Sequence, residues 1–446
     1  KKSVTIPSGG SQVWTWNYVQ DYGSDAPGPS PYADTKFRTV TYPDGHQVKT
    51  YINRTFSWKE GSIEKIETLA PGGALVKTEE YTYALGHSIG SLQTVNNFTY
   101  SLATVKQIYQ TEAETTLDGA TYTTVSEFQT DTSASDYAFG APKKVTQTSS
   151  TAPGLSRIAE YEYTHYRTPW ILKLAKKLTR NGKVFDEHTY NSSTGLRLTT
   201  KEFGVTTGTF TYNSDGTLAS STDAISRTTS YASYKRGIPQ SVTLPDTNTI
   251  TRVVDNNGWV TSYTNPRGNT FGISYDSMGR MTTFDNPGSW ADASISFSGL
   301  GSGLVQTRTR GNSRVTTTYD GYYRPILVKS EDLTGHSAAR YSKTSYDSMG
   351  RTSFASWPSA SANPTAGINT SYDALGRVTQ TAETVAPFAT TTTDYLSGNQ
   401  VRVTDPVNAQ TTTTYRAFGA PGTDEAITVV DATGTTTTMT RDIYGN

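Results

Sequence analysis

An all-β fold of repeated antiparallel hairpins is predicted by a recurring word, by its spacing and by the composition. The word YDSMGR occupies residues 275–280 and returns letter for letter at 346–351. It returns as YDALGR at 372–377, and in weaker copies as YNSDGT from Tyr212, YDGYYR from Tyr319 and YRAFGA from Tyr415. Degenerate copies begin at Val254 and Phe297, so the leading positions fall at 254, 275, 297 and 319. A period of this size is two strands of roughly eight residues, each about 26 Å long, plus two turns. A fixed period marks one supersecondary unit used many times. The composition agrees: 29 Tyr and frequent Thr runs favour strands, while hydrophobic residues reach only 34%, under the usual ~45–50%.

Each residue of the word has a local physical role. Tyr212, Tyr275, Tyr319, Tyr346, Tyr372 and Tyr415 head the copies, and an aromatic ring suits a pleated, half-wetted strand. Asp276, Asp320, Asp347 and Asp373 follow; an Asp there accepts a hydrogen bond from the backbone two residues on and closes a turn. Gly216, Gly279, Gly350, Gly376 and Gly419 take the fifth place, where a short hairpin loop with a bulge needs φ > 0. Arg280, Arg351 and Arg377 close the word. Two positions are open to the arginine: over the Tyr ring, or paired with the Asp.

The chain of 446 residues exceeds the ~100–200 residues of one compact domain. With 34% hydrophobic residues, a thick aliphatic core is not expected. Aromatics at 11% and zero net charge argue against disorder, which leaves a sheet wetted on both faces, with Tyr rings and Thr methyls packing across strands. Balanced charge, 39 basic against 39 acidic residues, gives no pointer to nucleic acid or to an anionic membrane. Cysteine is absent, which excludes disulfides and thiolate metal sites and fits an exported bacterial protein. No apolar run approaches the ~18 residues of a membrane span. The start at Lys1-Lys2 and the stop inside another copy of the word, at Tyr444-Gly445-Asn446, lead us to expect a fragment of a longer protein.

In chain order, residues 13–18 read as an aromatic strand and 26–31 as a Pro- and Gly-rich loop. Residues 37–42 alternate as a strand, turn at Pro43-Asp44-Gly45 and return over 48–52. A second hairpin spans 63–83 with its turn at Pro71-Gly72-Gly73, and 98–109 and 122–128 continue the pattern around Asp118-Gly119. Tyr137-Ala138-Phe139-Gly140 resembles an early degenerate word. Residues 168–180 admit two readings. One is a helix, from Trp170, Leu174 and Leu178 at four-residue spacing. The other is a strand that turns at Asn181-Gly182 into 183–190. Beyond 190 the repeats run on, and the longer periods are taken up by loops at 358–367 and 384–388.

The words at about twenty-residue spacing resemble the YD repeats of rearrangement-hotspot (Rhs) proteins, shared with the C components of Tc toxins and with teneurins. The passage from Arg236 through Asp255-Asn256-Asn257-Gly258-Trp259 and Asn265-Pro266-Arg267-Gly268-Asn269 to Tyr275 is similar to the bacterial form, and Asp405-Pro406-Val407-Asn408-Ala409 to its second turn. The resemblance implies a spiralling β-sheet solenoid that forms a curved, hollow shell, truncated here within a repeat. It implies a bacterial, secreted or cell-surface shell around a C-terminal toxin polypeptide or other cargo, with a secretion-system component as a further partner. Residues 1–140 are then an N-terminal hairpin region of the shell. Residues 141–446 are the repeat array, clearest over 190–446. Sheet physics agrees, because a twisted sheet that keeps adding hairpins curls. The family's aspartate-dependent self-cleaving domain is not found; Asp405-Pro406 reads as a turn between words.

No catalytic residue, cofactor or metal site is expected. His46, His87, His165, His188 and His336 show no two-His zinc spacing. Asp255-Asn256-Asn257-Gly258 and Asn213-Ser214-Asp215-Gly216 lack the distal Glu of a calcium loop and read as hairpin turns. A second class of function, an adhesin that binds surface glycans, would use Trp259, Trp290 and Trp357 to stack on sugars. Packing between strands is the preferred role for such large aromatics.

Overall fold

A computed structural model describes residues 2–4, 14–20, 35–53, 58–59, 61–90, 105–129, 139–301 and 303–445. They form thirty-four strands, with no helix among them. Each strand pairs antiparallel with its neighbours in sequence, from Lys2–Val4 on Trp14–Gln20 to Glu425–Val430 on Thr436–Thr438. The ladder crosses position 140 without a break: Ala120–Phe128 pairs with Pro142–Ser149.

Residues 168–180 resolve as the strand Ile171–Arg180. It pairs with Arg157–Tyr166 on one side and Lys183–Tyr190 on the other. Asn181 and Gly182 take φ of +44° and +76°, the left-handed pair that a two-residue hairpin demands. The four-residue recurrence of Trp170, Leu174 and Leu178 is overruled by that turn and by the two partner strands. The predicted hairpins at Pro43-Asp44-Gly45, Pro71-Gly72-Gly73 and Asp118-Gly119 are present. The expectations for 26–31, 98–104 and Tyr137-Ala138 lie outside the described residues.

No aliphatic middle exists among the described residues. Among the described residues eleven hydrophobic side chains are buried, and Tyr122 and Val254 are the largest that are fully so. Thr-rich strands such as Thr390–Leu396 stay half-buried along their whole length. Stability therefore rests on the ladder and on side chains that pack laterally across it.

Because the sheet is a meander, its turns alternate between two edges. The words lie on one, the word edge. The other, the acceptor edge, carries the turns at 43–45, 118–119, 150–155, 181–182, 203–204, 223–227 and 244–248. The sheet curls until its later word edge sits on its earlier acceptor edge. Arg351 reaches Asp44 at 3.4 Å, Arg377 reaches Asp118 at 2.5 Å, and the Tyr444 hydroxyl donates to Arg180 O at 3.2 Å. The result is a spiral whose successive turns meet tip to tip along a seam.

The turns tolerate little change. Gly279 has φ +78°, and a Cβ there would stand 2.9 Å from Trp259 Cζ2. Gly279→Ala is expected to lower stability by about 1–3 kcal/mol, read as a lower urea midpoint. An unchanged midpoint would show that the turn does not need its glycine.

Candidate functional site

The residues of the word assemble into one device. Gly279 N donates to Asp276 O at 3.0 Å and Asp276 N to Arg280 O at 2.9 Å. This is a four-residue turn followed by a glycine bulge. Asp276 Oδ1 accepts from the backbone N–H of Met278 and of Arg280, at 2.9 and 3.0 Å. Its Oδ2 accepts from Arg280 Nε at 2.7 Å. Asp320, Asp347 and Asp373 repeat the pattern with Arg324, Arg351 and Arg377.

Both positions open to the arginine are occupied at once, and the ring belongs to the following unit. Arg280 lies over Phe297 at 4.2 Å, Arg324 over Tyr346 at 4.3 Å, Arg351 over Tyr372 at 4.7 Å and Arg377 over Tyr395 at 3.8 Å. The hydroxyl of each of these tyrosines donates to the carbonyl of the residue after that arginine: Tyr346 to Pro325, Tyr372 to Thr352 and Tyr395 to Val378, at 2.8–3.2 Å. Tyr275 donates to the O of Val260, which follows Trp259, at 2.9 Å, and Tyr212 donates to Arg197 O at 2.8 Å. An aspartate thus fixes an arginine, and the arginine fixes the next ring. Each such stack contributes about 0.5–2 kcal/mol, and the ring's hydroxyl ties it to its neighbour.

Two weaker words depart from the pattern. Asn213 replaces Asp in the first, with Thr217 in the arginine's place; the turn closes the same way, Gly216 N donating to Asn213 O at 3.0 Å. After Tyr415 comes Arg416, which cannot accept backbone N–H bonds, so the strand continues and the loop opens. Gly419 then reaches across the seam, and its N–H donates to Thr148 O at 3.1 Å. A Cβ at 419 would lie 2.6 Å from Thr124 Oγ1, so the close approach requires glycine.

The seam has a small packed centre, where Leu117, Ala120, Tyr122 and Ala417 are buried together and Leu375 packs against them. Polar clasps flank it. Asp118 binds Arg377 and its backbone O accepts from Gly398 N at 2.9 Å. Glu425 takes Arg157 from the earlier spiral turn and Arg416 from its own. Both guanidiniums lie over Phe418, at 4.5 and 5.4 Å. Burial would raise the Glu425 carboxyl, but the hydrogen bonds from the two arginines outweigh it and hold it below its ordinary value. The hydrogen bonds of Arg280 likewise hold Asp276 low.

The seam carries no local signal in the sequence, since its partners are 259 and 307 residues apart at Arg377–Asp118 and Arg351–Asp44. One hint is present: Met278, Met349 and Leu375 put an apolar residue at the tip of a turn. Of Trp259, Trp290 and Trp357, the first packs as preferred, on Tyr275 at 5.3 Å. Trp290 and Trp357 are 64% and 38% exposed, because each sits in a loop outside the ladder. Among the described residues no His, Asp, Glu cluster could hold a metal ion, and Asp255 and Asn213 stand in hairpin turns. Asp405-Pro406 opens a turn as well, Asn408 N donating to Asp405 O at 3.0 Å.

Glu425→Gln removes the shared carboxylate and leaves two arginines facing one ring. Hydrogen exchange at the Gly419 amide is expected to rise while ladder amides near Ile273 keep their protection; equal protection in both would remove Glu425 from the seam. Glu425 is held low in the folded state, so its contribution is complete above the ordinary carboxylate range, about 4.3, and is lost as pH falls through the lowered folded value. The same amide should therefore loosen on acidification, and should do so less in Glu425→Gln. Arg377→Lys keeps the charge but loses the planar fork, and should raise exchange at Gly398.

Comparison with known proteins agrees with this geometry. Residues 176–331 match the family model described as Teneurin YD-shell. The crystal structure of TcdB2-TccC3 superposes with a TM-score of 0.68 at 10% identity, over 97% of this chain and 34% of that one. A second structure, TcdB2-TccC3-Cdc42, gives a TM-score of 0.47 at 11% identity, over 86% of this chain and 23% of that one. The chain thus spans about a third of the length of the first of these structures. The search of curated proteins finds no match. The segment that matches the YD-shell model lies within a ladder of neighbouring antiparallel strands that continues on both sides of it.

Proposed function

We propose that the chain is the wall of a shell that encloses a polypeptide, in a secreted protein of the Rhs type whose cargo is a C-terminal toxin. The seam is the observation that carries this reading. From the turn at 43–45 to the word at 347–351 the sheet passes through twenty-three strands before meeting itself. At about 4.8 Å per strand that is a circumference of about 110 Å and a diameter of about 35 Å. Side chains lining the wall leave about 25 Å across, given the ~10 Å that facing sheets need between them. That is room for an extended or loosely folded chain. The thin seam core and the half-wetted strands suit a wall with solvent on both faces. On this reading the words, from Tyr212 to Gly419, are structural and the chain is not a catalyst. Residues 1–140 supply acceptor turns at 43–45 and 118–119, and 141–446 supplies the words that land on them. No described helix is long and apolar enough to cross a membrane.

A second reading, a glycan-binding adhesin, is favoured by the exposure of Trp290 and Trp357 and predicts binding on a glycan array that Trp290→Ala abolishes. The shell reading is tested by protease protection. A chain that continues into a C-terminal segment should keep that segment intact under a protease that degrades it when expressed alone. Opening the seam with Asp118→Arg should restore cleavage. Equal cleavage rates with and without the shell would overturn the proposal.

A further inference from the structure

The joints of the seam differ in fit. A Cβ at 419 would lie 2.6 Å from Thr124 Oγ1, and one at 119 would overlap Ser397 Oγ, so neither joint admits a methyl group. Between the clasps Arg351–Asp44 and Arg377–Asp118 the fit is loose. Here the word at 373–377 and the turn Ala70-Pro71-Gly72-Gly73-Ala74 border one cavity. That turn closes on itself, Ala70 N donating to Ala74 O at 2.7 Å and Gly73 N to Ala70 O at 2.9 Å. It offers no side chain larger than a proline ring. A Cβ at Gly72 or Gly73 would meet nothing within 4 Å. Among the described residues no hydrogen bond joins 70–78 to 372–377.

The cavity measures about 620 Å³, within the ~300–1,000 Å³ of small-molecule sites. The earlier spiral turn contributes Leu75, Val76 and Leu117 to its wall, and the later one Ala374 and Leu375. Leu75 is 57% exposed although it begins a strand. The words that carry Arg351 and Arg377 are two strands apart, so the clasps stand about 10 Å from each other. Each charged group on the wall already has a partner. Arg351 holds Asp44, Arg377 holds Asp118 and Asp373, and Lys77 holds Glu79. A charged ligand would have to break one of these pairs and strand its other member. An apolar one covers leucine and valine side chains and takes their area out of water. Thr78 and Thr116, opposite each other in register, also line the space and offer hydroxyls to one polar group.

We propose that this cavity is a binding site for an uncharged, mainly apolar small molecule about 10 Å long. Both spiral turns build its walls, so the site exists only while the seam is closed, and a bound molecule holds the seam shut. Binding lowers the opening equilibrium by the factor 1 + [L]/Kd. The inference rests on the seam alone. Its failure leaves the protease-protection test of the shell untouched.

Titration of residues 1–446 with N-phenyl-1-naphthylamine, a neutral dye that fluoresces in apolar surroundings, tests it. Saturable binding is expected at one site per chain, with a Kd of about 10 μM or tighter. At ten times the Kd, exchange at the Gly398 amide, which donates to Asp118 O beside the cavity, should slow about tenfold. Ala374→Trp fills the cavity and Leu75→Glu puts a charge into it. Each should weaken the dye at least tenfold. In Ala374→Trp the Gly398 amide, measured without dye, should exchange no faster than in the parent, which separates a filled site from an opened seam. Ile225→Glu, at an exposed apolar tip outside the seam, should leave binding unchanged. Three outcomes overturn the proposal: no saturable binding; binding that neither Ala374→Trp nor Leu75→Glu alters; or a loss in Ile225→Glu as large as in those two, which marks general adsorption to apolar surface.

Discussion

The charge pair between an aspartate and the arginine four residues later is the interaction on which the rest depends. In isolation such a pair is worth little, because both groups stand near water. Here the aspartate has already been fixed by two backbone N–H donors, so the arginine does not have to order it. The guanidinium is then held flat and in reach of the next ring. A turn that is purely local in sequence thus acquires a directional link to the following hairpin. Repetition of that link at successive words joins hairpin to hairpin without an oily interior.

The same arginines serve the long-range contacts. Arg351 and Arg377 each hold an aspartate of their own, a ring of the next unit and an aspartate of the previous spiral turn. Burial works against the Arg377 charge, yet its hydrogen bonds to the Asp118 and Asp373 carboxylates outweigh it and stabilise the charged form. A guanidinium suits this task because five donors in one plane serve two carboxylates and a π-face together. Lysine, with a single point charge, would satisfy one of the three.

Much of the local structure was legible in the sequence. The Tyr-Asp-x-x-Gly-Arg word encodes its own turn, and Asn181-Gly182 decided the strand Ile171–Arg180 against a helical spacing of apolar residues. What escaped was whatever depends on a partner far along the chain. The arginine's place was ambiguous because its ring lies in the next unit, not in its own word. Leu117, Ala120 and Tyr122 look like ordinary hairpin residues until Ala417 arrives beside them. Tyr415 was misleading in the opposite way: its word matches in outline, but Arg416 stands where the capping aspartate is needed, and the loop is freed to reach Thr148.

The long separation across the seam has a consequence for how the protein is made. Every ladder contact joins neighbours, so hairpins close as soon as they leave the ribosome, at low loop-closure cost. Asp118 must wait for Arg377, 259 residues later. During that interval Leu117 and Ala120 have no cover from Ala417 and Leu375, and the nascent rim is sticky. The order of synthesis therefore makes the first winding a template for the second.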